Sequence, residues 1–403
     1  MNLPVNVLLV AFASAISAFA QWLIVVFLGR LEGPAVLGSY SLAQSWVLVI
    51  SYLTMLAFRQ QILAGNFRDY SFFSLLLVRF AFSFLVFIPC VFAVWYFSDH
   101  SFLVLFVCAV FYKFSDLLID LVSAWYQQAK RFFLLAGASV VRLAFVLSFF
   151  LAAYYADLGL VAAFGSMLIG AIVFFVFVDF RFLNLRFVDF YSDFSLSFFY
   201  EIVRDNFLFA ASNVLMVLAF ALLRQLVDYF SGSIVLGYFS ASFQIVTLIS
   251  FFVTAAGQVL LPRFGDYYRL GAWVNFRSLL FKVLTLFFVF GVLLSAFVFY
   301  FGADIIVLIY GSKFKEGYQI MVLVFLSSIP MFLASVVGAS AYAVGSKSIM
   351  LKAYMFTLLL LFVLGALGGY FVGVNGVLSA FSVVMIFQVF YFYFSIRIAM
   401  KAN

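Results

Sequence analysis

Three charged residues lie close together inside a long apolar stretch of the chain, Phe111–Phe132. Lys113, Asp116 and Asp120 are spaced i, i+3 and i+7, which places them on one face of an α-helix. A charge at the centre of a membrane-spanning helix costs roughly 2.5–3.5 kcal/mol, so these side chains must face protein or water instead of lipid. Either Lys113 and Asp116 neutralise each other between packed helices, or this face handles a polar substrate.

Two arginines extend this charged pattern to neighbouring apolar segments. Counting about 1.5 Å per residue from the inner ends of the segments places Arg79, Asp116 and Arg142 roughly 13–15 Å deep, with Lys113 one turn further out. Arg142 has no carboxylate within four residues on its own helix, so it is the best candidate for a free cation. We therefore expect one charged layer in which Asp116 and Asp120 hold the basic residues and a positive surplus meets an anion.

The remaining polar residues point away from catalysis. Arg224 is a further candidate for substrate binding, but it lies four residues before Asp228, a spacing that also suits an intrahelical ion pair. Only Cys90, Cys108 and His100 could supply thiolate or imidazole ligands, and they show no metal-binding spacing. No carboxylate pair, catalytic triad or phosphate-binding glycine motif is present, so we expect no enzyme activity, no metal and no other cofactor.

The composition is that of a membrane protein. Of the 403 residues 68% are hydrophobic and only 9% are charged, whereas a soluble domain carries about 25% charged residues. The apolar runs are continuous and as long as helices, which indicates an all-α integral membrane protein and not a β-barrel. No basic run with interleaved polar residues predicts nucleic-acid binding.

The lengths of the apolar runs predict twelve transmembrane helices in two six-helix lobes, since about 20 apolar residues cross the hydrocarbon layer. The first six spans are predicted at Val5–Leu28, Val36–Ala57, Phe72–Phe97, Ser101–Ala124, Leu134–Tyr155 and Leu158–Phe180. The last six are predicted at Phe207–Tyr229, Val235–Leu261, Phe276–Phe301, Gln319–Tyr342, Leu351–Phe371 and Val377–Ile398. The lobes are then residues 1–180 and 207–403, and residues 181–206 form a linker.

Basic residues predict the orientation in the membrane. If both termini are cytoplasmic, fifteen Lys and Arg residues fall in the inner loops and only three, Arg30, Lys313 and Lys315, in the outer loops. This bias obeys the positive-inside rule and makes the 181–206 linker cytoplasmic. The inner set is Arg59, Arg68, Lys130, Arg131, Arg181, Arg186, Arg204, Arg263, Arg269, Arg277, Lys282, Lys347, Lys352, Arg397 and Lys401.

The two halves of the sequence resemble each other. Three matches occur in the same order, six spans apart, which indicates an internal repeat with a pseudo-two-fold axis along the membrane normal. The matches are Leu37–Ala43 (LGSYSLA) with Leu236–Ser242 (LGYFSAS), Gly159–Phe164 with Gly376–Phe381, and the turn Gln128–Arg131 with Val344–Lys347.

Several of these segments, together with others, carry a resemblance to a known family. The segments are Gln21–Ile24 (QWLI), Gly29–Pro34 (GRLEGP), Leu37–Ala43, Phe114–Leu118 (FSDLL) followed by Tyr126 and Gln127, the Gly237 turn, Tyr310–Phe314 and Val374–Gly376. In these the chain resembles the O-antigen repeat-unit flippases (Wzx type) of the multidrug/oligosaccharidyl-lipid/polysaccharide exporter (MOP) superfamily. The likeness covers nearly the whole length and the number of spans.

The resemblance implies a function and a location. The protein would carry an undecaprenyl-diphosphate-linked oligosaccharide from the cytoplasmic to the periplasmic leaflet of a bacterial inner membrane, as its two lobes rock about a central cavity. Other polysaccharide-assembly membrane proteins would be its partners. The residues expected in substrate binding and translocation are Arg79, Lys113, Asp116, Asp120, Arg142 and Arg224.

Two other functions remain open. A cation-coupled multidrug exporter of the same superfamily is expected to have a carboxylate deep in the first or seventh span, and Val5–Leu28 contains none. A membrane polysaccharide polymerase is expected to have a long outer loop. The longest outer loop here is Gly302–Tyr318, which we expect to form a short amphipathic segment on the membrane surface, with Ile305, Ile306, Leu308 and Ile309 facing inward.

Overall fold

The structure, a computed structural model, describes residues 3–56, 58–64, 71–183, 196–343 and 347–402. Within these ranges the chain is helical and contains no strand. The first helices are α1 (Leu3–Glu32), α2 (Pro34–Thr54), α3 (Phe58–Ala64), α4 (Phe72–Phe97), α5 (His100–Gln128), α6 (Phe132–Tyr155), α7 (Leu160–Phe174) and the short α8 (Phe180–Phe182). The others are α9 (Leu196–Arg269), α10 (Trp273–Tyr310), α11 (Tyr318–Ala343), α12 (Lys347–Val372) and α13 (Val374–Ala402).

The described residues contain 11 helical stretches that are long and apolar enough to cross a membrane. One of them, Asn213–Val253 in α9, is 41 residues long. As a straight helix it would measure about 60 Å, twice the roughly 30 Å hydrocarbon core. Gly232 interrupts it with non-helical angles, φ 83° and ψ 170°. Counting the two parts of α9 separately gives the twelve spans that the sequence predicts.

The segment Gly302–Tyr318 differs from the expectation. Instead of a separate surface helix, α10 continues without a break to Tyr310, and a 3₁₀ turn, Ser312–Gly317, follows it. The reason is that buried residues recur at every fourth position, Val298, Gly302, Ile306 and Tyr310, so one packed face runs through the whole helix. Leu308 lies off this face and is 74% exposed, so it does not face inward as expected.

A short helix that the sequence did not predict follows the second span. Leu56 adopts a positive φ of 46° just after α2 ends, and the chain then forms α3. Because α3 packs on α5, it brings Arg59 back to the helix that carries the charged face. Arg59 therefore belongs to a helix, although the sequence had placed it in an inner loop.

By its internal packing the chain forms two compact units. One contains the chain up to Gln21 and residues 43–217; the other contains residues 22–42 and 218–403. The helices α1, α2 and α9 each pass from one unit to the other. Some predicted features lie outside the described residues, namely Arg68, Arg186, the repeat turn at 344–346 and the side chains of Lys347 and Lys401.

Candidate functional site

The centre of the charged face is Asp120 on α5, which forms ion pairs with two arginines. Arg79 Nη2 lies 2.8 Å from Asp120 Oδ2, and Arg59 Nη1 lies 3.4 Å from Oδ1. The Arg79 side chain is fully buried on α4, whereas that of Arg59 is 33% exposed. Two guanidinium groups on one carboxylate leave one positive charge, and the longer, more exposed contact makes Arg59 the more accessible of the two.

Arg79 also has hydrogen-bonding capacity that the protein does not use. Its Nε and Nη1 atoms, and Ser83 Oγ one turn later, are buried and have no hydrogen-bond partner in the part of the chain that the structure describes. The Phe58 ring covers the guanidinium, with its centroid 5.9 Å from Cζ. Buried donors are normally satisfied. These three atoms, like Arg142 Nη1 in another cluster, could therefore donate to a water or a substrate oxygen.

Lys113 and Asp116 pair with each other, as one of the two interpretations of the sequence proposed. Lys113 Nζ lies 2.5 Å from Asp116 Oδ2, at i, i+3 on α5. The lysine side chain is buried and the carboxylate is 33% exposed. The pair is neutral as a unit and contributes no surplus charge to an anion site.

Arg142 on α6 is not the free cation that the sequence suggested. Its Nη2 atom donates to both oxygens of Asp179, at 2.8 and 2.9 Å, and both side chains are buried. The Tyr126 hydroxyl donates to Asp179 Oδ1 at 3.0 Å, and the Phe174 ring lies 5.3 Å from the guanidinium carbon. Arg142, Asp179 and Tyr126 thus form a buried ionic cluster that joins α5, α6 and the turn Phe175–Asp179 that follows α7.

Asp179 owes its position to a wide turn of the helix. The buried face of α7 includes Met167, Ala171 and Phe174, and a regular α-helix would place Val178 next at the centre of that face. Phe175–Asp179 instead forms a π turn, which inserts one extra residue and brings Asp179 to that position. No signal in the sequence predicts this position, because helical periodicity places Asp179 about 100° away from the centre of the packed face.

Arg224 in the seventh span is a candidate site residue that has no carboxylate partner among the described residues. It forms no ion pair with any described residue, so the expected pair with Asp228 is not made. Its Nη1 donates to the Phe220 carbonyl at 3.3 Å, and its guanidinium carbon lies 5.3 Å from the centroid of the Phe243 ring. Phe220 also contacts the Phe381 ring, with centroids 6.3 Å apart. An aromatic environment thus holds the side chain of Arg224, a partly exposed residue whose charge no described carboxylate neutralises.

Comparison with known proteins gives a fold but not a sequence family. No protein-family model and no curated protein matches this chain. Among solved structures, the lipid II flippase MurJ in an inward closed conformation matches with a TM-score of 0.72 and 16% identity, over 97% of this chain and 87% of the MurJ chain. The eukaryotic MATE transporter AtDTX14 matches with a TM-score of 0.65 and 15% identity, over 98% of both chains.

A third match is a MOP superfamily transporter from Pyrococcus furiosus, with a TM-score of 0.66 and 12% identity, over 98% of this chain and 96% of the other. The fold is that of the MOP transporters. The predicted all-helical, two-lobed membrane fold is therefore confirmed. The neighbours are flippases and transporters, and at these identities the likeness concerns the fold.

Within this fold, the six residues predicted from the sequence fall into separate clusters of contacts. Arg79 joins Asp120, Lys113 joins Asp116, Arg142 joins the unpredicted Asp179, and Arg224 belongs to the other compact unit. In the described part of the first unit, these clusters hold four cations, one of them Arg59, against three carboxylates. No group of three or more His, Cys, Asp or Glu in the described residues is arranged to hold a metal.

Proposed function

We propose that this protein is a flippase that moves an undecaprenyl-diphosphate-linked oligosaccharide, such as an O-antigen repeat unit used in lipopolysaccharide biosynthesis. Transport runs from the cytoplasmic to the periplasmic leaflet of a bacterial inner membrane. Two findings support this proposal: the sequence resemblance to O-antigen flippases in segments such as Gly29–Pro34, and the fold shared with a lipid II flippase. The O-antigen flippases and the lipid II flippase both carry lipid-linked substrates.

The observation that carries the proposal is the presence of guanidinium groups that carboxylates do not neutralise. Arg59 shares Asp120 with Arg79 through a 3.4 Å contact, and Arg224 lies on an aromatic ring with no ion pair to a described residue. Uncompensated cations are costly in a membrane protein and are kept where they serve a substrate. A diphosphate carries the opposite charge and accepts the planar hydrogen bonds that arginine offers.

The same residues suggest how the substrate is handled. Arg59, which is accessible, would meet the diphosphate first, while the unused donors of Arg79 and Ser83 would bind phosphate or sugar oxygens. Arg224 would bind it in the second unit. Lys113, Asp116 and Asp120 would keep this region polar, and Arg142 would act as a structural support. No covalent chemistry is required, so the protein acts as a transporter and not as an enzyme.

The proposal includes an arrangement in the membrane. The moving lobes are residues 1–180 and 207–403, the 181–206 linker is cytoplasmic, and both termini are cytoplasmic, as the distribution of Lys and Arg supports. Transport proceeds by alternating exposure of the substrate to the two sides. Other membrane proteins of polysaccharide assembly would supply and use the substrate.

Lipid binding to the purified protein tests the charge requirement. Native mass spectrometry should show that undecaprenyl diphosphate is retained at collision energies that remove undecaprenol. Arg59→Ala and Arg224→Ala should each weaken retention of the diphosphate. One charge-assisted contact is worth about 1.5–3 kcal/mol, or roughly tenfold or more in affinity. Arg269→Ala, which removes an exposed arginine at the end of α9, is the matched control and should have no effect. Equal retention of the two lipids would contradict the proposal.

A multidrug exporter is the second candidate, because the MATE transporter AtDTX14 shares the fold. Such a protein exporting cationic compounds should lower the accumulation of a cationic dye in cells that express it. The surplus of guanidinium groups disfavours cationic cargo. We therefore expect dye accumulation to be the same in cells expressing the wild-type protein and in cells with an empty vector.

A further inference from the structure

A single carboxylate, Asp120 on α5, fills the space between two guanidinium groups that belong to different helices. Its Oδ2 atom accepts a hydrogen bond from Arg79 Nη2 at 2.8 Å, and its Oδ1 atom accepts one from Arg59 Nη1 at 3.4 Å. Each carboxylate oxygen therefore serves one arginine. A phosphate group between two arginines uses two of its oxygens in the same way, since both anions accept charge-assisted hydrogen bonds from guanidinium. Asp120 thus occupies a position that also suits a phosphate group.

The hydrogen-bond donors around Asp120 outnumber the oxygens that it offers. Arg79 Nε and Nη1 and the Ser83 hydroxyl have no partner among the described residues, and both side chains are fully buried. Ser83 lies four residues after Arg79 and is therefore on the same face of α4. A carboxylate has only two oxygens, and both are in use, whereas a diphosphate carries more. A diphosphate could therefore satisfy more of these donors than Asp120 does.

Exchange of Asp120 for another anion requires only a local change. All of these groups lie on α3, α4 and α5 of the first compact unit, so the two units need not move. The Arg59 side chain is 33% exposed and that of Asp120 is 17% exposed, so water and solutes reach their contact. An ion pair of this length and exposure contributes little to stability and is readily exchanged. The Phe58 ring is buried against Arg79, so α3 stays packed while Arg59 changes its partner.

We infer that Asp120 is an internal competitor of the substrate: it occupies Arg59 and Arg79 in this structure and is displaced by a phosphate group of the substrate. The inference rests on the proposed function, since the competing anion is the diphosphate of that lipid. Binding the phosphate means giving up two existing contacts, which lowers the affinity. When Asp120 returns to the arginines, it helps the phosphate to leave. The carboxylate thus limits the affinity so that the substrate can be released.

Inorganic pyrophosphate tests the competition without the lipid. Asp120→Asn removes the negative charge, keeps the size of the side chain and keeps one acceptor oxygen. The purified variant in detergent should bind pyrophosphate about tenfold more tightly than the wild type in titration calorimetry, because the competing carboxylate and its repulsion of the phosphate are both removed. Adding Arg59→Ala to this variant should abolish the gain. Asp266→Asn, which removes an exposed carboxylate near the end of α9, is the matched control and should bind pyrophosphate like the wild type.

Thermal unfolding of the same samples gives a second measurement. Without a ligand, Asp120→Asn should unfold at a lower temperature than the wild type, because the buried Arg79 loses its counter-charge. Pyrophosphate should raise the unfolding temperature of the variant by more than that of the wild type, since tighter binding stabilises the folded state more. If the variant folds poorly, it is purified with pyrophosphate present, and failure of pyrophosphate to restore folded protein would contradict the competition.

Transport in vesicles separates competition from a merely structural role. For Asp120→Asn we expect the lipid concentration that gives half the maximal rate to fall, and the maximal rate to fall with it, because a lipid that binds more tightly is released more slowly. A structural defect would lower the maximal rate without tightening binding. Equal or weaker pyrophosphate binding by folded Asp120→Asn would overturn the inference and leave the proposed function standing. Tighter pyrophosphate binding by this variant, combined with no retention of undecaprenyl diphosphate by the wild type, would contradict the proposed function and leave Asp120 as a competitor of another phosphate compound.

Discussion

Replacing Asp179 by alanine should destabilise this protein strongly. The Arg142 and Asp179 side chains are 4% and 1% exposed, so the guanidinium would stay buried after its carboxylate is removed. The Tyr126 hydroxyl would lose its acceptor in the same change. Removing one partner of a buried ion pair costs about 3–5 kcal/mol, which is a large share of the roughly 5–15 kcal/mol that stabilises a folded protein.

Thermal unfolding of the purified protein in detergent measures this loss. We expect Asp179→Ala to unfold at a much lower temperature than the wild type and to give a low yield in membranes. The matched control is the double variant Arg142→Met with Asp179→Leu, which replaces both charges by apolar side chains. It should unfold well above Asp179→Ala, and below the wild type only by the cost of the Tyr126 hydroxyl that has lost its acceptor. Our explanation would be refuted if Asp179→Ala unfolded like the wild type, or if the double variant were as unstable as the single one.

Other changes have distinct expected outcomes. Arg59→Ala should reduce transport but not the unfolding temperature, because this partly exposed arginine contributes little to stability. If both the transport rate and the unfolding temperature fall in the same preparation, Arg59 has a structural role. Gly237→Ala should lower the unfolding temperature by an amount equivalent to about 1–3 kcal/mol, since a Cβ would collide with a backbone carbonyl, whereas Gly265→Ala, which meets nothing within 4 Å, should not. Reporter fusions after Arg131 should be cytoplasmic and those after Gly232 periplasmic, and an inverted pair would contradict the orientation.

The fold could be predicted well because the lengths of the apolar segments and the spacing of the repeats can be read directly from the sequence. The pairing of Lys113 with Asp116 could also be foreseen, since both lie on one helix at i, i+3. The repeat match of Gly38 with Gly237 agrees with the structure, since both glycines lie against a backbone carbonyl. The match of Gly159 with Gly376 does not. Gly159, just before α7, has a positive φ, whereas Gly376 lies inside α13, and the glycine with positive φ just before that helix is Gly373.

The pairing between helices could not be read in the same way. Asp179 reaches Arg142 only because a π turn adds one residue to the helix, and no pattern of apolar residues predicts such a turn. Arg59 reaches Asp120 because α2 ends at Thr54 and the chain then forms α3, where a loop was expected. The sequence consequently selected Arg142 as the free cation. In the structure Arg224 has no carboxylate partner among the described residues, and Arg59 shares Asp120 with Arg79.

The sequence and the structure predict different outcomes for Arg142→Ala. If Arg142 were the free cation that the sequence suggests, this change would abolish transport while the amount of protein stays normal. The structure predicts a low amount of protein instead, because Asp179 would remain buried without its cation. Immunoblots of membranes from expressing cells, read beside the transport assay, separate the two outcomes.

Translocation in reconstituted vesicles tests the central claim most directly. Purified protein is placed in liposomes that contain an undecaprenyl-diphosphate-linked oligosaccharide, and the arrival of the sugar at the outer leaflet is followed by an added enzyme that modifies it. We predict rapid modification of the sugar that starts in the inner leaflet with the wild-type protein, and a marked slowing with Arg224→Ala. The same oligosaccharide on undecaprenol without phosphate should not cross. Equal crossing of the charged and the uncharged lipid, or no crossing of either by folded protein, would contradict the account.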